Sequence, residues 1–550
     1  MSYKKRLWSV YALLLLIALG FRLFVALRLP NDEPDDGRVY SQIARNVLEQ
    51  HVYSHESQAP YVPSIIRLPG YPLFLAAVYA VFGHGNNTAV RVVQAVIDTL
   101  TCVLIALVAF EWAIDEERKH RAAIIAFALA AVCPFTAIYV ATILTEVWAS
   151  FLAVAMVLTA TFAFKATVRK RMLAWWVITG LIAGLSVLFR PDSGLFAAAI
   201  GGTLVFSTGF AQRRKGSKAG FFTVFAPLRE TILAAFLFSV AFCIVLVPWT
   251  IRNQRVFHVF QPLAPTHGEM PGEFVPRGYL LWLRTWLDDS RYVGPVLWSV
   301  DTRPIRITDF PERAFDSKEE RERVAALLEK YNHPPDEEAA TQTPADDTAQ
   351  SDDESSDESS SDDEENQDDQ EEPEEEQQEP EEANVEMTPE IDAGFAQIGQ
   401  ERVAHSRFRY YIVLPLKRAM TLWFDTHSEY YPFNGELLPL KDLDYDIHQQ
   451  YWLPLFAGLT AIYSLLGLIG GWLLWRSRDR NARRWLLLAA LLIFLRLGFF
   501  ATLENPEPRY TVEIFPFLTI LAGAGASMLK VWAKASETAT DSDAAVPKAE

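Results

Sequence analysis

Acidic side chains stand next to several long apolar segments of this 550-residue chain. A charge in or near a hydrocarbon environment is costly and usually has a function. A carboxylate held at the boundary between water and lipid could accept a proton as a general base. The carboxylates in such positions are Asp32, Glu33, Asp35, Asp36, Glu146, Asp192, Glu504 and Glu507.

Arginines lie beside these acids, at or near the same ends of the apolar segments. One arginine in such a place can extend its side chain to water or neutralise a neighbouring acid. A group of them favours an anion held at one membrane face, because the forked guanidinium group matches the oxygens of phosphate or pyrophosphate. The arginines concerned are Arg22, Arg67, Arg91, Arg190, Arg252, Arg496 and Arg509.

The elements that must position these residues are apolar. About ten segments are long enough to cross a bilayer as helices, which takes about 20 residues. The predicted fold class is therefore an all-α polytopic membrane protein. The run Gly70–Phe82 is too short to span and fits a helix in the interface. The predicted spans are 7–27, 89–110, 122–140, 147–164, 173–189, 193–210, 233–251, 452–475, 485–503 and 512–529.

Loop charges predict the orientation of these spans. Loops rich in Lys and Arg, such as 118–121 and 476–484, alternate with loops that are not. By the positive-inside rule, the basic loops and both termini face the cytoplasm. The carboxylates and arginines named above then lie on the extracytoplasmic face of a multi-pass protein of the plasma or inner membrane.

The net charge of −18 comes from one segment. Residues 336–382 hold 24 acidic residues and no Lys or Arg, which leaves 44 acidic against 50 basic residues elsewhere. This tract has almost no apolar residues, so we predict that 336–386 is disordered. Most clustered basic residues belong to cytoplasmic loops, and no nucleic-acid partner is expected. The three cysteines lie in separate apolar runs, which excludes a disulfide scaffold and a cysteine-based metal site.

The chain is predicted to have four regions. Residues 1–255 form an N-terminal membrane module with seven spans and the first outer loop. Residues 256–450 form an extracytoplasmic loop in which two amphipathic helices flank the acidic tract, a pattern too sparse for a folded outer domain. Residues 451–532 carry the last three spans, and 533–550 form a disordered cytoplasmic tail.

The first outer loop carries the sharpest local pattern. Val39, Ile43 and Val47 recur at four-residue spacing, which predicts an amphipathic helix on the membrane surface over residues 35–48. Asp36 then occupies its N-cap position. Its carboxylate either only caps the helix or is held at the water–lipid boundary for use as a base.

Several short motifs follow one another near the outer ends of the predicted spans. They are Asp35-Asp36 followed by Tyr40 and Ala44, Arg67-Leu68-Pro69-Gly70-Tyr71-Pro72, Arg91, Thr145-Glu146, Arg190-Pro191, Pro248-Trp249-Thr250-Ile251-Arg252-Asn253 and Glu507-Pro508-Arg509-Tyr510. Their order and placement resemble the GT-C class of integral-membrane glycosyltransferases, in particular the protein O-mannosyltransferases and the aminoarabinose transferase that modifies lipid A. The resemblance covers residues 1–255 and, less fully, 450–530.

In that class, a sugar carried on a polyprenyl phosphate in the outer leaflet is transferred to an acceptor hydroxyl. The resemblance therefore implies a hexosyl or pentosyl transferase that acts on a hydroxyl or amine of a protein, lipid or glycan and inverts the anomeric centre. The departing phosphate is a weak base. The reaction therefore needs cations to hold the leaving group and one carboxylate to deprotonate the attacking group.

Residue roles are also implied by the resemblance. Asp36 would be the base, with Asp35 as its closest rival, and Asp32-Glu33 offers a similar pair slightly earlier. Glu146 would orient the sugar or acceptor, unless it only stabilises the start of its helix. Arg509 and Arg67 are the first candidates for binding the donor phosphate. The implied substrate-binding residues are Tyr40, Arg67, Tyr71, Arg91, Arg190, Arg252, Glu507, Arg509 and Tyr510.

Other readings stay open at this point. No cofactor is implied, and a divalent metal ion is left undecided because His51, His55 and His84 are spaced like loop residues. A non-catalytic sensor or assembly protein whose outer loop binds partners also stays open, and a large folded outer domain would favour it. The alternative function is a transporter or flippase of an anionic polyprenyl-linked lipid. Such a protein would place charges near the bilayer midplane in two related halves, whereas the charges here cluster at one face.

Overall fold

The computed structural model describes residues 3–29, 35–212, 221–334, 385–427, 430–431 and 447–529. Within these ranges the chain forms helices and no strand, which confirms the all-α prediction. The α-helices are α1 Tyr3–Arg28, α2 Asp35–Glu49, α3 Gly70–Phe82, α4 Asn87–Trp112, α5 Lys119–Ala131, α6 Pro134–Ala137, α7 Glu146–Lys165, α8 Arg169–Phe189, α9 Gly194–Gln212, α10 Phe221–Val256, α11 Arg277–Arg284, α12 Lys318–Asn332, α13 Pro389–His405, α14 Leu414–Phe424, α15 Ile447–Arg476, α16 Arg480–Ala501 and α17 Phe515–Ala526.

Seven helices of the described part of the chain are long and apolar enough to cross a membrane. An eighth span is counted if the bent pair Glu116–Ala131 and Pro134–Val140 is taken as one. The predicted count of ten is therefore not confirmed. α17 has only 12 residues, about 18 Å of helix, and falls short of a hydrocarbon core of about 30 Å. The seven are Lys4–Arg28, Asn87–Trp112, Glu146–Lys165, Arg169–Phe189, Leu228–Val256, Tyr451–Arg476 and Arg480–Ala501.

The bent span turns by 55° between α5 and α6. Backbone carbonyls at such a break have no partner in lipid and must be satisfied by other parts of the protein. Arg22 from α1 meets this need at the end of α5, where its guanidinium donates to the carbonyl oxygens of Ala130 at 3.1 Å and Ala131 at 3.0 Å. Its Nε also pairs with Asp98 of α4 at 2.6 Å.

The irregular segment after the break is held from α4. Gln94 donates to the carbonyl oxygen of Thr142 at 2.8 Å, and Arg91 donates to that of Ala141 at 2.9 Å. Both side chains are buried. The segment they fix leads directly into Glu146, the first residue of α7.

The first outer loop contains the predicted surface helix and the short apolar helix. α2 begins at Asp35, so Asp36 lies in its first turn and not at an N-cap. Ile43 and Ala44 on its apolar face are fully buried, and Ala44 packs in one cluster with Tyr71 of α3. The predicted rivals Asp32 and Glu33 lie outside the described residues.

Two compact units divide the chain: residues 1–275 with 411–550, and residues 276–410. The second unit has a hydrophobic core of its own that includes Tyr279, Trp282, Trp286 and Phe395. The expectation that the outer loop is too sparse to fold was therefore wrong. Residues 336–384 of the predicted disordered tract, and the predicted tail 533–550, lie outside the described ranges.

Candidate active site

The Asp36 carboxylate lies between two guanidinium groups. Arg67, just before α3, donates to Asp36 Oδ1 at 2.7 Å, and Arg509 donates to Oδ2 at 3.3 Å. Burial alone would raise the pKa of Asp36, but Arg509 and Arg67 together hold it below its usual value. Three segments far apart in sequence therefore meet at one ionised carboxylate.

Asp35 has a different environment although it is the next residue along α2. Its side chain is fully exposed, and among the described residues its one ion pair is with Arg38, at 3.8 Å. The described structure therefore brings Asp36, and not Asp35, to the arginines.

Arg509 belongs to a short 3-10 helix that precedes α17 and runs over Pro508–Ile514. Its guanidinium pairs with Glu507, donates to the Tyr430 hydroxyl at 3.3 Å and lies 5.3 Å from the centre of the Tyr510 ring. Burial raises the pKa of Glu507 above its usual value, while Arg509 opposes that rise. Glu507 and Tyr510 therefore flank the guanidinium group that Arg509 presents to Asp36.

Tyr40 and Tyr71 line the same region but play different parts. The Tyr40 ring stands edge-on to Tyr71 at 5.1 Å, and the Arg67 guanidinium lies 5.8 Å from its centre. Burial, reinforced by Asp36, raises the pKa of Tyr40 to about 12, so its hydroxyl keeps its proton. The Tyr71 hydroxyl donates to Gln94 at 2.8 Å and so supports the segment that leads to α7.

Glu146 and Arg190 form a second, deeper pair at 2.6 Å. Oε1 of Glu146 accepts this hydrogen bond, whereas Oε2 is buried with no hydrogen-bond partner among the described residues. The Arg190 guanidinium lies 5.6 Å from the Tyr510 ring, which Arg509 also contacts. Tyr510 therefore stands between the pair at Glu146 and the group at Asp36.

Residues that the motifs did not single out complete this deeper region. Asp192 contacts both Arg190 and Arg496, and so does Glu513. The motifs do not include Glu513, because it lies inside the apolar run 512–529. A lone carboxylate in such a run is costly, and that was the available signal.

Two predicted ligands of the substrate contact backbone instead. Arg91 donates to carbonyl oxygens at Ala141 and Leu29. Arg252 donates to the Ser64 carbonyl oxygen at 2.8 Å and lies within 5.4 Å of the ring centres of three aromatic residues, including Trp249. Neither is brought to Asp36 by a described contact, and both hold loop segments in place.

No group of three or more His, Cys, Asp or Glu side chains in the described residues is arranged to hold a metal ion. The chemistry that the described groups can supply is that of carboxylates, phenols and guanidinium groups. Such a set can bind an anion and accept a proton beside it.

Residues 63–229 match the family model of dolichyl-phosphate-mannose-protein mannosyltransferases. The resemblance to the GT-C class is confirmed. The matched segment includes Arg67, Glu146 and Arg190, whereas Asp36 and Arg509 lie on either side of it. A search of curated proteins finds no match.

Solved structures with a similar course of the chain include those of two other proteins. The oligosaccharyltransferase of Archaeoglobus fulgidus, tethered to an acceptor peptide, has a TM-score of 0.49 at 14% identity, covering 100% of this chain and 52% of that one. ArnT from Cupriavidus metallidurans, bound to undecaprenyl phosphate, has a TM-score of 0.35 at 13% identity, covering 99% and 82%. The chain thus spans about half the length of the oligosaccharyltransferase.

Proposed function

We propose that this protein is a membrane glycosyltransferase. It takes a sugar from a polyprenyl-phosphate-linked donor and transfers it to a hydroxyl or amine of a protein, lipid or glycan acceptor. The observation that carries the proposal is the Asp36 carboxylate held between Arg67 and Arg509, which come from distant parts of the chain. The family match over residues 63–229 supports the same class of reaction.

In the proposed reaction, Arg67 and Arg509 bind the donor phosphate through their guanidinium groups. The bond between the anomeric carbon and the phosphate oxygen breaks, and the polyprenyl phosphate leaves with its electron pair. The acceptor oxygen or nitrogen forms the new bond from the opposite side, which inverts the anomeric centre. Asp36 takes the proton that the acceptor loses. The arginines stabilise the charge that develops on the leaving group.

Binding of the donor would also free the base. Arg67 and Arg509 are already neutralised by Asp36 and Glu507, so a phosphate must displace a carboxylate to reach them. A displaced Asp36 loses the two cations that lower its pKa and gains a negative neighbour. Its basicity therefore rises at the moment when the acceptor must be deprotonated.

Glu146 supplies a second polar contact for the substrates. Its buried Oε2 has no partner among the described residues and can accept a hydrogen bond from a sugar or acceptor hydroxyl. Arg190 occupies the other oxygen and fixes the direction in which Oε2 points. We assign Glu146 to orientation of the substrate.

The proposed location follows from the loop charges. Both termini lie in the cytoplasm, and Asp36 and its arginines lie at the extracytoplasmic face of the plasma or inner membrane. The donor is then drawn from the outer leaflet, where its phosphate stands at the depth of the arginines.

The test compares two adjacent carboxylates in membranes that contain the full chain. With a radiolabelled polyprenyl-phosphate sugar, Asp36→Asn should lower the transfer rate at least about 100-fold, because the general base is lost. Asp35→Asn is the matched control and should transfer sugar at the wild-type rate, since its side chain is exposed. Full transfer by Asp36→Asn at normal protein levels would remove the base assignment.

A further inference from the structure

The deeper region behind Tyr510 contains a closed ring of four charged side chains. Asp192 contacts Arg190 at 3.0 Å and Arg496 at 2.8 Å. Glu513 contacts Arg496 at 2.8 Å and Arg190 at 3.6 Å. Each carboxylate bridges the two arginines: Glu513 gives one oxygen to each, whereas both oxygens of Asp192 accept from Arg190 Nε and Oδ2 also contacts Arg496. No member of the ring has a side chain more than 10% exposed.

The ring contacts the candidate active site at two points. From Arg190 it reaches Glu146, whose carboxylate accepts a hydrogen bond at 2.6 Å. From Arg496 it reaches the backbone, because Nε of that residue donates to the carbonyl oxygen of Tyr510 at 2.6 Å. Tyr510 directly follows Arg509, so this hydrogen bond holds the turn that presents Arg509 to Asp36.

Stability alone gives a poor account of such a ring. Buried ions lose their hydration, and apolar side chains of similar size are often at least as stabilising in the same place. Ionisable groups within a membrane protein more often mark a functional region. The two guanidinium groups also repel each other unless both carboxylates stand between them. What the ring provides is a fixed orientation for each guanidinium plane.

We propose that Asp192, Arg496 and Glu513 are positioning residues, which set the Arg509 turn for binding of the donor phosphate and hold Arg190 in its contact with Glu146. This inference rests on the proposed function. The three residues touch no substrate in this scheme and act only through Arg190, Glu146 and the backbone of Tyr510. A small shift of a group that binds a reacting substrate can cost a large factor in affinity or rate.

The experiment measures the dissociation constant of undecaprenyl phosphate for the purified full chain in lipid nanodiscs. The variants are Asp192→Asn and Glu513→Gln, which keep the size of the side chain and remove one negative charge, and Arg496→Lys, which keeps the positive charge and removes the guanidinium fork. Each should raise the dissociation constant about tenfold. The donor KM should rise more than kcat falls, since Asp36 is untouched.

The matched control is Asp98→Asn. Asp98 is also buried and pairs with an arginine, Arg22, yet neither contacts the candidate active site. Its loss should lower thermal stability and leave the dissociation constant of the folded fraction unchanged. If the ring were merely structural, its variants would likewise lose thermal stability and keep the dissociation constant of the folded fraction unchanged.

Unchanged phosphate affinity in all three ring variants would overturn the proposal, as would an equal loss of affinity in Asp98→Asn. If the single variants do not fold, the double variant Arg496→Met with Glu513→Leu removes one charge of each sign. It should fold and bind undecaprenyl phosphate more weakly, and wild-type affinity in it overturns the proposal. Failure of the wild-type protein to bind this lipid would instead contradict the proposed donor class.

Discussion

Two arginine–carboxylate groups of this protein differ in how far they are closed to solvent. In the pair Arg22 and Asp98, the side chains are 0% and 2% exposed. Around Asp36, the side chains of Asp36, Arg67 and Arg509 are 33%, 26% and 14% exposed. One group is closed to solvent and the other remains accessible.

The use of the guanidinium donors differs as well. Arg22 gives its hydrogen bonds to Asp98 and to backbone carbonyls of α1 and α5. Arg509 contacts two carboxylates and a phenol, all of which are side chains that can move aside. An arginine that donates to backbone carbonyls stabilises the fold. An arginine that contacts movable side chains can exchange those contacts for a ligand.

The largest expected difference between the Arg22–Asp98 pair and the group around Asp36 is in the free energy of unfolding. Arg22→Met should lower the free energy of unfolding by about 3–5 kcal/mol, because it leaves Asp98 buried without its cation. Arg67→Met should lower it by less than about 1 kcal/mol, because Asp36 keeps Arg509 and contact with water. Thermal unfolding of the purified variants measures the difference. Equal losses of stability in the two variants would contradict this difference between the two groups.

A second effect concerns affinity. If Asp36 occupies the place of the donor phosphate in the free protein, Asp36→Asn should bind undecaprenyl phosphate about tenfold more tightly, or ~1.4 kcal/mol, although it transfers no sugar. Asp98→Asn should leave the affinity of the folded fraction unchanged. Isothermal titration calorimetry of the two variants in lipid nanodiscs measures both dissociation constants. Weaker binding in Asp36→Asn would contradict the displacement of Asp36 by phosphate.

The smallest effect is a shift with pH. The pKa of Asp36 lies below its usual value, so the base is ionised at neutral pH and kcat/KM should fall only in acid, as Asp36 takes up a proton. Arg67→Gln removes one of the cations that lower this pKa and leaves the opposing effect of burial in place. The acid limb of kcat/KM should therefore move up by about one pH unit. A limb that stays in place would assign the titration to another group.

The sequence predicts that Asp36, Arg67 and Arg509 share one membrane face, because the alternation of basic and non-basic loops assigns each span end to a side. The described structure brings these three side chains into contact. The sequence could not separate Asp36 from Asp35, since the choice depends on which side of α2 faces the arginines. Nor could it show that Arg91 serves the backbone, because helix breaks and their carbonyls are not visible in composition.

Two further features were missed for physical reasons. Apart from Glu513, the last predicted span carries no charge, but the chain runs as a 3-10 helix over Pro508–Ile514 before α17 begins. In the unit formed by residues 276–410, the core positions Tyr279, Leu283 and Trp286 follow a helical spacing. That signal was overlooked because the acidic tract dominates the composition of the whole loop.

The break between α5 and α6 also bears on the order in which the protein is assembled. Arg22, Arg91 and Gln94 come earlier in the chain than the carbonyls they satisfy, so synthesis from the N-terminus delivers them first. Two other carbonyls near the break accept hydrogen bonds from Tyr431 and Tyr463, which are synthesised some 300 residues later. The bent span therefore receives hydrogen bonds from residues that are synthesised before it and from residues that are synthesised long after it. It reaches its final packing only when the C-terminal helices have inserted.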